Sequence, residues 1–231
     1  MNEVILLVEA CVMFALVLIF HKFFKKEGLI AWVAIATILA NIVTAKNTTI
    51  FGLSTTIGTV LFASVFLATD VLSECYSKEH AKKAVYIGLL SNVVLICATQ
   101  IALWYAPSQF DYADGSMKTL FSLNLRISIA SAVMYFIANM MDVYLFNKIK
   151  EKMNGRALWL RNNVSSILCN CLENFGFIAL AFWGIYDAST IITIAVSTSI
   201  IEVIVSLVDT PFLYIARSIT KDGKRQKLET T

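Results

Sequence analysis

Charge is scarce in this sequence. Only 15% of its 231 residues are Asp, Glu, Lys or Arg, while 58% are apolar or aromatic. A soluble domain carries about 25% charged and about 45–50% apolar residues. Together with a mean hydropathy of +0.73, this excludes one water-soluble globule, and it equally excludes a disordered chain. Histidine is confined to His21 and His80, and the five cysteines form no C-x-x-C pair. That removes zinc clusters, redox motifs and a disulfide scaffold, and the cysteines read as small apolar fillers. No H-E-x-x-H, G-x-S-x-G or Walker sequence occurs, so hydrolytic chemistry has no foothold and any ATP hydrolysis would need a partner. A net charge of +3, spread over short basic clusters, does not suit a nucleic-acid partner. Of the two prolines, Pro107 falls between apolar runs and Pro211 inside the last one, where a missing N–H is expected to bend a helix.

What is present is a series of seven apolar runs, near 4–20, 29–45, 55–75, 84–105, 123–146, 164–186 and 191–215, followed by a basic tail over 217–231. Most approach the roughly 20 residues that a helix needs to cross about 30 Å of hydrocarbon. They lack the in/out alternation of barrel strands. The first run carries Glu9 and no basic start, so it reads as a span rather than a signal peptide. The expectation is therefore a single all-α transmembrane domain of seven helices.

The basic residues give it an orientation. Lys22, Lys25 and Lys26, then Lys78, Lys82 and Lys83, then Lys148, Lys150, Lys152, Arg156 and Arg161, then the tail, hold 16 of the 19 Lys and Arg residues, all on one side of such a bundle. The positive-inside rule places that side in the cytoplasm, with the N-terminus outside and the C-terminus inside. On this reading the basic residues are topology anchors.

Ionisable groups at membrane depth are costly, roughly 2.5–3.5 kcal/mol on insertion scales, so they mark the bundle interior and its function. Glu9, Asp70, Arg126, Asp142, Glu173, Glu202 and Asp209 qualify, with Glu173 and Glu202 nearest mid-span. Asn139 precedes Asp142, and Asn170 precedes Glu173, by three residues, which puts each amide–carboxylate pair on one helix face. Asn163, Ser166 and Asn174 extend the second stripe. Facing stripes of this kind either line a polar cavity or bond helices together. Carboxylates and amides in a cavity suit a ligand rich in N–H donors, such as the edge of a guanine-like base, with Phe66, Tyr135, Phe136, Phe175, Phe177 or Trp183 available to stack on it. A proton or cation pathway would use the same acids.

Several ordered blocks are familiar. Phe66-Leu67-Ala68-Thr69-Asp70-Val71-Leu72-Ser73-Glu74-Cys75-Tyr76 with Ala81-Lys82-Lys83 resembles the signature of the queuosine precursor transporter family, also called the vitamin uptake transporter family. So do Asn41…Lys46, Arg126-Ile127 with Ala130-Ser131, Asp142 to Lys148, Trp159 to Ser166, Asn170…Glu173, and Asp209-Thr210-Pro211 with Tyr214. The resemblance covers roughly residues 36–216. It implies import of 7-deazaguanine bases or queuine for tRNA modification, through the cytoplasmic membrane of a bacterium and without a cofactor. It also implies a six-helix core similar to the substrate-binding subunits of energy-coupling-factor transporters, with one helix added at the N-terminus. The partners expected are the base and the lipid bilayer. A homodimer is compatible and an ATPase module is not expected; the alternative is a substrate-binding subunit that needs one. The resemblance, with the polar stripes, nominates Glu173, Asn170, Asn139, Asp142, Arg126, Asn41 and Glu202 as substrate-binding residues. The departures are Asn139 and Asn170 for Gln, Glu173 for Asp, Glu202 where relatives often have Lys, and Ser77 for Gly. Proton coupling and facilitated diffusion with metabolic trapping both fit these residues.

The charge distribution predicts that a fluorescent protein fused to the C-terminus will fluoresce and that an alkaline phosphatase fused there will be inactive. Phosphatase activity without fluorescence would reverse the orientation.

Overall fold

The computed structural model describes residues 1–121 and 125–229; the side chains of 122–126, 128 and 222–231 lie outside that description. The order is α1 (Asn2–Val43), β1 (Asn47–Ile50), β2 (Leu53–Thr56), α2 (Thr59–Cys75), α3 (Lys78–Trp104), α4 (Asp114–Phe121), α5 (Leu125–Lys152), α6 (Leu158–Phe182) and α7 (Ala188–Glu229). Five helices, α1, α3, α5, α6 and α7, are long and apolar enough to cross a membrane. The expected start of the fifth run, Leu123, and the tail residues Lys224, Arg225 and Lys227 fall outside the described side chains.

α1 is not straight. Lys25 leaves helical geometry at φ 55° and ψ −133°. A continuous 42-residue helix would be about 63 Å long and would carry Asn2 far from anything that follows Val43. Instead the Asn2 amide donates to Thr48 Oγ1 at 3.0 Å and to the Thr49 carbonyl at 2.9 Å. The chain therefore reverses at Lys25 into two antiparallel arms, 2–24 and 26–43, roughly 35 and 27 Å long. Gly28 makes the reversal tight: a Cβ there would lie 2.3 Å from the Phe20 carbonyl oxygen. Phe20 then meets Trp32 across the arms, edge to face at 5.3 Å. The first two apolar runs are these two arms.

The third run is divided differently. Thr55 and Thr56 belong to strand β2, and the helix starts only at Thr59. Strands β1 and β2 pair antiparallel, Asn47 opposite Thr56 and Ile50 opposite Leu53. Phe51 and Gly52 between them both have positive φ, the geometry of a two-residue turn that follows the twist of the strands. β-Branched residues fill the strands, so the local propensity was available in the sequence. The short α4 also falls where only a connection was expected. The fold is thus helical with one small hairpin, rather than helical throughout.

Seventeen-residue α2 runs through the centre. Almost every residue from Thr59 to Ser73 is buried, on all faces. It is surrounded by α1, α3, α5 and α7. Trp32 Nε1 donates to Ser64 Oγ at 3.0 Å, tying the second arm to it. The outer helices do the opposite and turn Val4, Leu90, Val94, Ile129, Leu168, Leu180, Ile192 and Leu207 outward. Such a continuous exposed apolar belt is incompatible with water and suits lipid.

Caps fix the ends. Ser77 is the N-cap of α3, its hydroxyl accepting from the His80 amide at 3.4 Å, so the departure from Gly supplies a helix start. Asp187 precedes α7 and accepts from the amides of Ser189 and Thr190. The hydroxyls of those residues also bond it and hold its carboxyl below the usual carboxylate range. Helix α7 continues through Pro211.

Gly28→Ala should force the arms apart. We expect a loss of roughly 1–3 kcal/mol, the usual cost of overpacking, read as a lower melting midpoint in detergent. An unchanged midpoint would mean that the reversal at Lys25 is not close-packed.

Candidate functional site

One end of the bundle is open and the other is tied shut. A cavity of about 560 Å³ reaches from hairpin residues Asn47, Ser54 and Thr56 to Asn170, Glu173 and Glu202 in the middle of α6 and α7. On α6 its lining includes Asn170, Glu173, Asn174, Phe177 and Ile178, whose spacing of three and four keeps them on one face, and Phe182 at the end of the helix. Helix α7 adds Ile194, Thr198 and Glu202, α3 adds Asn92 and Thr99, and α2 adds Phe62 and Phe66.

The polar groups in it are unevenly committed. Asn174 Nδ2 donates to Glu202 Oε2 at 2.6 Å and to Ser199 Oγ at 3.3 Å. Asn170 Nδ2 donates to Ser206 Oγ at 3.0 Å. Asn41 donates to the Thr37 carbonyl and accepts from Ser131. Two groups find no partner among the described residues. Asn92 Nδ2 is buried without a partner. The half-buried Glu173 carboxylate makes no hydrogen bond or ion pair among the described residues.

Of the residues nominated from the sequence, Glu173, Asn170, Asn41 and Glu202 line this cavity. Asn139 and Asp142 do not: the Asn139 amide turns back onto the Tyr135 carbonyl at 3.0 Å. Arg126 lies outside the described side chains. Of the candidate aromatics, Phe66 and Phe177 reach the cavity. Asn92 and Asn174 were not nominated. Asn174 was legible as part of the polar stripe, whereas Asn92 is a single amide in an apolar run.

Asp142 belongs to a second cluster. It is fully buried, abuts Asp70 of α2, and accepts from Ser166 at 3.5 Å. Asp209 of α7 accepts from Asn162 at 2.7 Å, and Asn162 and Asn163 both reach Thr210. Apart from the Asp142 carboxyl, neither oxygen of Asp70 has a hydrogen-bonding group to meet among the described residues.

Beyond that cluster, Glu74 gathers cations from three helices. Its carboxylate, 5% exposed, pairs with Lys150 of α5 at 3.0 Å, with Arg217 of α7 at 3.2 Å, and with Arg161 of α6. Lys150 also donates to the Ser73 and Glu74 carbonyls, and fully buried Arg161 lies over the Phe146 ring. These three basic residues are therefore more than the topology anchors that the sequence suggested. Breaking a buried pair by removing one partner costs about 3–5 kcal/mol. We expect Glu74→Ala to lower stability by an amount of this order, with Glu74→Asp retaining most of it. Wild-type stability of Glu74→Ala in chemical denaturation would remove the ion hub from the account.

Residues 56–216 match a family described as "Putative vitamin uptake transporter". Over 217 residues, 94% of this chain and 95% of the relative, the sequence is 35% identical to a "Probable queuosine precursor transporter" of Bacillus subtilis (strain 168). It is also 28% identical over 139 residues, 60% of each chain, to the "Queuosine precursor transporter" of Escherichia coli (strain K12). A similar protein of Haemophilus influenzae is 28% identical over 138 residues, 59% of this chain and 56% of the relative. No solved structure matches the chain. The chain belongs to the vitamin uptake transporter family. It is a multi-pass membrane transporter, not an enzyme.

Proposed function

We propose that this protein imports queuosine precursors, guanine-like bases, and that the cavity between α6 and α7 is where the base binds. The observation that carries this reading is the Glu173 carboxylate, without a protein partner among the described residues and lining a cavity at mid-helix. Its two oxygens match the adjacent ring N–H and exocyclic amine of a guanine edge, a two-point charge-assisted contact. The next group on that edge is a carbonyl oxygen, and the unpartnered Asn92 amide supplies the donor it would need. Phe66 and Phe177 provide flat apolar surface for the ring. The names of the relatives point to the same substrate class.

The arrangement also suits a carrier. Counting the two arms of α1 and the central α2, the chain makes seven passes, with the N-terminus and the hairpin at one end and the C-terminal part of α7 at the other. The cavity reaches the hairpin end, which the basic loops place outside. The Glu74 hub closes the cytoplasmic end. An outward-facing pocket above a bonded inner seal is one half of an alternating-access cycle.

Glu173→Gln keeps the shape but sets a donor against a donor. An unmade buried hydrogen bond costs about 1–3 kcal/mol, more where a charge takes part, so affinity for a 7-deazaguanine base should fall at least about tenfold. Isothermal titration of the purified protein measures it. Wild-type affinity in a folded Glu173→Gln protein would overturn the assignment.

A further inference from the structure

One turn beyond the cavity, toward Glu74, hydrogen-bond acceptors outnumber donors. Phe66 of α2 and Asn170 of α6 line the cavity. Asp70 follows Phe66 by four residues and Ser166 precedes Asn170 by four, so each continues its helix face one turn deeper. At that depth the carboxyls of Asp70 and Asp142 are in hydrogen-bonding contact, and both side chains are fully buried. Ser166 donates to Asp142 Oδ1, and Asn162 donates to Asp209. Asp70 Oδ1 and Oδ2, Asp142 Oδ2 and Asn162 Oδ1 are buried and receive no N–H or O–H from the described residues. Two carboxyls in contact share a proton, because two ionised ones repel and neither can donate.

The described groups of charge or titratable character that face the pair are Asp209 of α7 and Cys169 and Arg161 of α6. Helices α1 and α3 also pack on α2, but they bury no Asp, Glu, Lys or Arg. The buried His21 of α1 is turned to Thr220 and Tyr76. Of the side chains outside the description, Ser128 is the nearest to Asp142 along α5 and Asp222 the nearest to Asp209 along α7, each about 20 Å away along its helix. Among the described residues no three acids converge as a metal ion would require, so the donor that fits the pair is a proton.

Arg161 is the cation in this set, and it is engaged elsewhere. It pairs with Glu74 and donates to the Arg156 carbonyl. Its Nε–H is buried without an acceptor among the described residues. A donor short of acceptors therefore faces acceptors short of donors. Turned from Glu74 to Asp70, the guanidinium would meet both shortages and supply a charge in place of the shared proton.

We propose that Asp70 and Asp142 form the proton-binding site of a proton-coupled importer, loaded while Glu74 holds Arg161 and emptied when Arg161 turns to Asp70. The proton comes from water on the cavity side and forms an O–H bond to one carboxylate and a hydrogen bond to the other. It leaves to water at the Glu74 end as the guanidinium replaces it, so one proton enters with each substrate molecule. The inference rests on the reading of the cavity as the substrate's site and of the Glu74 hub as the inner seal.

The test reconstitutes the full-length protein in vesicles that enclose a pH-sensitive dye. The probe is radiolabelled 7-cyano-7-deazaguanine, a neutral base, so that any charge moved is the proton's. Under an inward proton gradient the wild type is expected to accumulate the base at least about tenfold and to acidify the interior as it does so, and a protonophore should abolish both. In Asp142→Asn the amide donates to Asp70 permanently in the proton's place. This variant, and Asp70→Asn, should lose accumulation and acidification but exchange labelled for unlabelled base, without a gradient, within about twofold of the wild type. Infrared spectra taken without substrate should show a protonated-carboxyl C=O band that either substitution removes. Wild-type exchange without accumulation would overturn proton coupling and leave the cavity reading standing. Accumulation that survives both substitutions would overturn the assignment to this pair. If the wild type does not exchange the base, the cavity reading fails, and the infrared band alone decides: its loss in the variants supports the proton-binding pair, and its absence from the wild type overturns it. Should one variant fail to fold, the other and the wild-type measurements carry the same outcomes.

Discussion

Hydrocarbon offers no hydrogen bonds, and this chain puts an unusual number of polar side chains where water is excluded. Each has to find a partner inside the bundle or be held open for one. The packing follows from that demand. Helix α2 is central because it carries Asp70 and Glu74 on one face, four residues apart, and each needs neighbours from other helices. Glu74 draws α5, α6 and α7 to itself through Lys150, Arg161 and Arg217. The asparagines of α6 then join that helix to α7 at Ser206, Ser199, Asp209 and Thr210. These bonds run nearly the length of α6, so the face of α6 that meets α7 is set by polar pairing, while its other side presents Leu168 and Leu172 outward.

The same demand separates the structure into two halves with different chemistry. At the Glu74 end the charges are matched, carboxylate against guanidinium and ammonium. In the cavity, the described lining residues include two acids and no cation. Matched charge holds helices together, and unmatched polar groups facing a void wait for a ligand. Between the two lie Asp70, Asp142 and Asp209, from three different helices, with Arg161, the cation in range of Asp70, already engaged by Glu74. A rearrangement that loosens the Glu74 hub would change what Arg161 faces.

Much of the fold was legible because lipid makes hydrophobicity nearly decisive. The continuous apolar runs gave the arms of α1 and the cores of α2, α3, α5, α6 and α7. The ends were less legible, since a helix continues past the hydrocarbon for as long as its caps and backbone bonds allow. Helix α3 starts at Lys78, ahead of the apolar run at 84, because Ser77 caps it there. The hairpin over 47–56 was hidden by counting Thr55 and Thr56 as the start of a span, although its β-branched strands signal a sheet. For the site, spacing on α6 was enough to bring Asn170, Glu173 and Asn174 to one face. Spacing could not say which face of α5 meets the cavity, and that is why Asn139 and Asp142 read as site residues from the sequence yet lie outside the lining.

Glu74 shows the limit of reading charges one at a time. A reading of the basic loops by the side of the membrane on which they are expected to stand is incomplete for structure. A lone acid at the end of a buried helix, on the side where nearly all basic residues gather, has to be compensated by some of them. That inference needs no coordinates, only the requirement that a desolvated carboxylate be paired. Applied to the other end, the same requirement gives the opposite result. Glu173 and Glu202 stand far from the basic loops in sequence, and no Lys, Arg or His among the described residues lines their cavity, so within those residues they face a void rather than a counter-charge.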